Sequence, residues 1–100
     1  MEAAIVTLSG DIDVAMRISV REQLEGLEEA TRAIVDLTNA EYIDSSGVSE
    51  LLFAYRRRAD AGVETLRLVV RPQSNVARLI ELAGLGQVFM VFDTVDAARA

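Results

Sequence analysis

The feature that most constrains this chain is an alternation. Short runs of aliphatic and β-branched residues are separated by longer segments whose apolar positions recur at helical spacing. Ala4 to Leu8, centred on Ile5-Val6-Thr7, reads as a strand that ends at Gly10. Asp13 then caps a helix from Val14 to about Glu29. Met16, Val20, Leu24 and Leu27 share its inner face, while Arg17, Arg21, Glu22, Glu25 and Glu28 point outward. Arg32 to Leu37 is a buried-type strand, followed by a polar crossover from Thr38 to Asp44. Ser45-Ser46-Gly47 opens a second helix with Val48, Leu51, Leu52 and Tyr55 on one side. It stops at Ala61-Gly62, where Arg56, Arg57 and Arg58 complement the dipole as a solvated helix end. Thr65 to Arg71 is a third strand, Pro72 starts a third helix carrying Val76, Leu79, Ile80 and Leu82, and Gly84 closes it. Val88 to Phe92 is a fourth strand, and Asp93-Thr94 begins a short last helix. Strand and helix alternating in this way predict an α/β fold with a mainly parallel four-stranded sheet and about four helices. Right-handed crossovers then place binding sites at the carboxyl ends of the strands.

One hundred residues suit one domain spanning 1–100. Within that domain the missing side chains exclude more than the present ones suggest. The chain has no His, Cys, Trp or Lys, so its ten basic residues are all Arg. Ser-His and Cys-His nucleophiles, thiolate zinc sites, disulfides, lysine Schiff bases and the P-loop lysine are therefore unavailable. Neither a catalytic residue nor a metal site nor a cofactor is expected. A net charge of −6 disfavours DNA, RNA and anionic membranes, leaving protein or small-ligand partners. No apolar run approaches the roughly 20 residues of a membrane span, and the first residues carry no secretion signal, so a cytoplasmic location is expected.

Two polar segments lie at the expected rim: Gly10-Asp11-Ile12-Asp13 after the first strand, and Asp44-Ser45-Ser46-Gly47 after the second. Neighbouring parallel strands bring them within reach of one partner. Serines at a helix start commonly accept hydrogen bonds from free amides, which would account for Ser45 and Ser46 structurally. The functional reading is modification. A phosphate on Ser45 adds about −1.5 to −2 charge at a helix N-terminus that tolerates it, while disrupting a complementary protein surface.

The chain resembles the STAS domains, and among them the bacterial anti-sigma-factor antagonists. Leu8-Ser9-Gly10-Asp11-Ile12-Asp13 is similar to the family's Leu-(Thr/Ser)-Gly-(Glu/Asp)-Leu-Asp turn. Ile34-Val35-Asp36-Leu37 followed by Tyr42-Ile43-Asp44-Ser45-Ser46-Gly47-Val48 resembles its strand and phosphorylation loop, and Ala83-Gly84-Leu85 its third-helix exit. The resemblance implies that Ser45 is phosphorylated by a serine kinase that is itself the anti-sigma factor. The unmodified protein would bind that kinase and free a sigma factor, phosphorylation would end the binding, and a serine phosphatase would return the protein to its unmodified, binding form, with ATP and metal belonging to the partners. It also implies a partner-binding set of Asp11, Asp13, Asp44, Ser46 and Gly47. Asp13 is the kinase contact in that set, Ser46 serves structurally, and Gly10 and Gly47 shape the backbone.

The family commonly has a further N-terminal strand before the one that leads into the Gly-Asp turn, whereas this chain begins almost directly in the latter. A sheet shortened at one edge is the expectation, and that open edge is where a weak homo-oligomer would form. Two rivals remain. Asp11, Asp13 and Asp44 resemble a phosphoryl-acceptor pocket, but such pockets pair their carboxylates with a lysine that this chain lacks. Alternatively, the domain is a non-phosphorylated subunit of a lipid-transport complex or a scaffold in a sensory assembly.

Overall fold

The computed structural model describes residues 3–100. In chain order the elements are β1 (Ala3–Thr7), β2 (Gly10–Ile12), a 3₁₀ turn (Val14–Met16), α1 (Arg17–Glu25), β3 (Arg32–Asp36), β4 (Ala40–Ile43), α2 (Ser45–Asp60), β5 (Arg67–Val69), α3 (Asn75–Leu82), a second 3₁₀ turn (Leu85–Gln87), β6 (Met90–Phe92) and α4 (Val95–Arg99). Strands β1, β3, β5 and β6 form a four-stranded sheet in the order β1-β3-β5-β6, and every pair in it is parallel. The expected α/β alternation, four-stranded sheet and four α-helices are all present.

Burial on both faces explains why β3 is a nearly unbroken aliphatic run: Ala33, Ile34 and Val35 are each 0% exposed. Side chains alternate across a strand, so Ala33, Val35 and Leu68 join the main core with Val20, Leu24, Leu51, Val76 and Ile80. Ile34 and Val69 point the other way, into a smaller cluster closed by Ala98 of α4. Helices α1 and α2 lie side by side and run in the same direction. Arg17 and Arg21 near the start of α1 meet Glu50 of α2, and Glu25 and Glu28 farther along meet Arg57. Their N-terminal ends therefore share one rim.

Several expectations need correction. Gly10-Asp11-Ile12 is a strand rather than a turn, and the polar crossover contains a strand, β4; the two form a separate two-stranded parallel ribbon. Each is too short for a two-residue period to show, yet Ile12 and Ile43 are buried in register. The first helix is shorter at both ends than expected, opening as a 3₁₀ turn and stopping at Gly26, whose N–H bonds back to Gln23 O and Leu24 O. A glycine in mid-helix costs about 1 kcal/mol relative to alanine, which favours a stop there. Pro72 does not start α3: it occupies a turn closed by Ser74 N–H to Arg71 O, with Gln73 left-handed at φ 63°, and Ser74 is the cap. The third and fourth strands are trimmed to Arg67–Val69 and Met90–Phe92.

Two apolar assignments also fail, because Leu52 and Leu82 are exposed. The solvated arginine end fails at Arg58, which is 2% exposed. Its guanidinium donates to Glu64 O at 2.7 Å, Leu27 O at 2.9 Å and Thr31 O at 3.3 Å, tying the end of α2 to two loops. Burial lowers the Arg58 pKa and the Glu64 charge partly offsets this, but a guanidinium stays charged throughout the accessible pH range.

Candidate functional site

The β2–β4 ribbon positions the two sequence-predicted segments. Asp11 pairs with Tyr42 and Ile12 with Ile43, and the Asp44 N–H donates to Ile12 O at 3.2 Å. Asp13 and Asp44 are thus the next residues on neighbouring strands, whose backbones lie about 4.8 Å apart. Both have extended backbone and both start a helical segment. Asp13 Oδ1 accepts from the Ala15 N–H at 3.1 Å, and Asp44 Oδ1 accepts from the N–H groups of Ser46 at 2.9 Å and Gly47 at 3.2 Å.

This changes the structural account of the serines. The cap of α2 is Asp44, so neither Ser45 nor Ser46 performs the capping that would explain a serine there. Ser45 is the first residue of the sixteen-residue α2 and is exposed, while Ser46 is half-buried. Asp11 is exposed on the ribbon.

The glycines have separate physical reasons. Gly10 has φ 73°, a left-handed conformation, and the ladder shifts register between it and Asp11, so the chain turns there from β1 into β2. Gly47 is buried. A Cβ on it would lie 2.7 Å from Ile43 Cγ1 and 3.0 Å from both Ile12 Cγ2 and the Ile12 carbonyl. The missing side chain lets α2 start directly against the ribbon. Ser45 is thereby held at the rim beside the 3₁₀ turn that follows Asp13.

Asp13 and Asp44 are engaged with backbone amides, and no group of three acidic side chains converges as a metal cage among the described residues.

One part of the neighbourhood was missed by sequence reasoning. Glu50 is 3% exposed, beneath a thin cover of arginines. Arg21 donates to it from Nε at 2.9 Å and from Nη2 at 3.0 Å, and Arg17 Nε donates at 3.2 Å. The hydrogen bond from Arg21 holds the Glu50 pKa below the usual carboxylate range; the two positive charges and the Arg17 bond act the same way, against desolvation. The same bond raises the pKa of Arg21. Outside this triad, Phe53 lies between the guanidiniums of Arg21 and Arg57, 5.3 and 5.6 Å from its ring centre. A sequence signal did exist: residues 47, 50, 51, 54 and 58 form the inward stripe of α2, and Glu50 and Arg58 interrupt it.

Comparison with known proteins yields a consistent set. A family model described as STAS domain matches residues 2–98. A protein of Paenibacillus polymyxa named anti-sigma F factor antagonist is 29% identical over 92 residues, covering 89% of this chain and 77% of the relative. An anti-sigma factor antagonist from Mycobacterium paratuberculosis has the same fold, with a TM-score of 0.81 at 23% identity over 96% of this chain and 81% of its own. The Bacillus cell-fate determinant SpoIIAA, solved in its phosphorylated form, matches with a TM-score of 0.67 at 23% identity, covering 97% and 87% of the two chains. No helix among the described residues is long and apolar enough to cross a membrane.

Proposed function

From the premise that this chain belongs to the STAS-domain family, we propose that it is a phosphorylation-switched anti-sigma-factor antagonist of the cytoplasm. Unphosphorylated at Ser45, it binds an anti-sigma serine kinase and thereby releases a sigma factor. Phosphorylation of Ser45 ends the binding, and a serine phosphatase reverses it. The chain supplies an acceptor hydroxyl and a docking surface, and catalysis belongs to its partners.

The observation that carries this reading is the division of labour at the start of α2. Asp44 caps the helix, which leaves the exposed Ser45 hydroxyl free of a structural duty. A phosphate there meets the positive end of a sixteen-residue helix, a favourable term of roughly 0.3–1 kcal/mol, offset by the neighbouring Asp44 carboxylate. The fold survives both states. A partner packed against the rim does not tolerate both, because about two negative charges and the bulk of a phosphate arrive in its interface. Asp13 is suited to contact the kinase beside the acceptor, with Asp11, Asp44, Ser46 and Gly47 completing the rim. Further support comes from the names of the relatives, one of them solved in a phosphorylated form.

The test is intact-mass measurement and site mapping after incubation with ATP and each candidate serine kinase from the same genome. One phosphate, located on Ser45, is the expected result. A folded chain that accepts none from any candidate refutes the switch and favours an unphosphorylated subunit of a larger complex.

A further inference from the structure

Val14, Arg17, Ile18 and Arg21 line one shallow concavity on the outer face of the 3₁₀ turn and α1. They follow one another at i, i+3, i+4 and i+7, the spacing of a single helix stripe. All four are solvent-facing: Val14 is 65% and Ile18 76% exposed, and the Arg17 and Arg21 side chains are 53% and 44% exposed. Two adjacent β-branched aliphatics at such exposure contribute nothing to the core. The stripe begins one residue after Asp13, at the rim that carries Ser45.

Its charge is opposite to that of the whole molecule, which is −6. The carboxylate that neutralises the two arginines, Glu50, is buried beneath them, so the guanidiniums form the outer layer. Of the nearby acids, Asp13 accepts the Ala15 amide, and Glu25 pairs with Arg57 at 3.7 Å while its charge also reaches Arg21; the exposed Glu22 follows Arg21 in α1.

We infer that this stripe is a second part of the kinase-docking surface and receives an aliphatic segment of the anti-sigma kinase flanked by Asp or Glu side chains. Charge complementarity selects that occupant. A second copy of this chain packed stripe on stripe would oppose arginine to arginine, and nucleic acid is repelled by the molecule as a whole. The inference rests on the proposed function for the identity of the partner and adds residues to it that are independent of the Ser45 chemistry. Val14 and Ile18 act as the apolar anchors, and Arg17 and Arg21 set the orientation and the approach rate.

The experiment is calorimetric titration of the kinase that phosphorylates Ser45 into the full chain and its variants. Val14→Ser/Ile18→Ser should bind at least about tenfold more weakly with an unchanged melting temperature, because both sites are exposed. Arg17→Gln should flatten the dependence of the association rate on ionic strength. If the double variant melts early, Ile18→Glu alone carries the test, with a loss of similar size. Variants that bind as tightly as the parent, while the parent binds and is phosphorylated, overturn this inference and leave the proposed function standing. A parent that binds no candidate kinase overturns both.

Discussion

The Asp44 amide donates to the Ile12 carbonyl at 3.2 Å, joining the residue that caps α2 to the last residue of β2. Through this bond the two polar segments, far apart in sequence, become one rim. The ribbon register fixes Asp13 beside Asp44, and the α2 cap fixes Ser45 one residue beyond.

If Asp44 is the cap, its loss is a stability defect. Asp44→Ala leaves the Ser46 and Gly47 amides without their acceptor and should cost about 1–2 kcal/mol, while Asp44→Asn should recover most of it. Urea denaturation of the three proteins measures this. Equal midpoints for Ala and parent would show that the cap is idle.

Gly47→Ala sets two effects against each other. Alanine gains about 1 kcal/mol of helix propensity, but its Cβ must enter a space 2.7 Å from Ile43 Cγ1 and 3.0 Å from the Ile12 carbonyl. A flexible side-chain end can yield, whereas the backbone oxygen belongs to the ribbon itself. Overpacking should win, with a net loss of roughly 1–2 kcal/mol and reduced protection of the Asp44 amide in hydrogen exchange.

The Glu50 triad predicts a pH dependence with a definite sign. The folded-state pKa of Glu50 lies below its unfolded value of about 4.3, so its contribution is fully present above that value and is lost as pH falls through the folded pKa. Glu50→Gln should be less stable than the parent by roughly 1–3 kcal/mol near neutral pH, and that gap should narrow below about pH 4. Thermal melts of both proteins from pH 7 to pH 3 supply the comparison. A gap that stays constant or widens with acid contradicts the assignment.

Arg58 should be intolerant of replacement. Arg58→Met keeps much of the volume but strips a charged donor from the carbonyls of Leu27, Thr31 and Glu64, with an expected loss of about 3 kcal/mol. Arg58→Lys should rescue little, since an ammonium cannot span three carbonyls with a planar fork. Guanidinium unfolding curves would reveal this, and a lysine variant as stable as the parent would remove the geometric argument.

What was legible in the sequence follows the strength of local patterns. The four sheet strands and the long α2 stood out because apolar runs and helical spacing extend over many residues. The ribbon did not: Gly10–Ile12 and Ala40–Ile43 show their partnership only through pairing between distant segments. The rim residues Asp13, Asp44 and Ser45 were readable from cap chemistry and family resemblance. The assignment of the cap to Asp44 rather than a serine needed the backbone geometry. Glu50 and Arg58 were concealed because each looks like a surface charge until its partners are placed.

The most direct measurement is the affinity of the phosphorylating kinase for two forms of this chain, unmodified and stoichiometrically phosphorylated at Ser45, at one ionic strength. The account predicts binding of the unmodified form and a loss of at least about a hundredfold on phosphorylation, some 2.7 kcal/mol, with both forms folded by circular dichroism. Equal affinity of the two forms would contradict it.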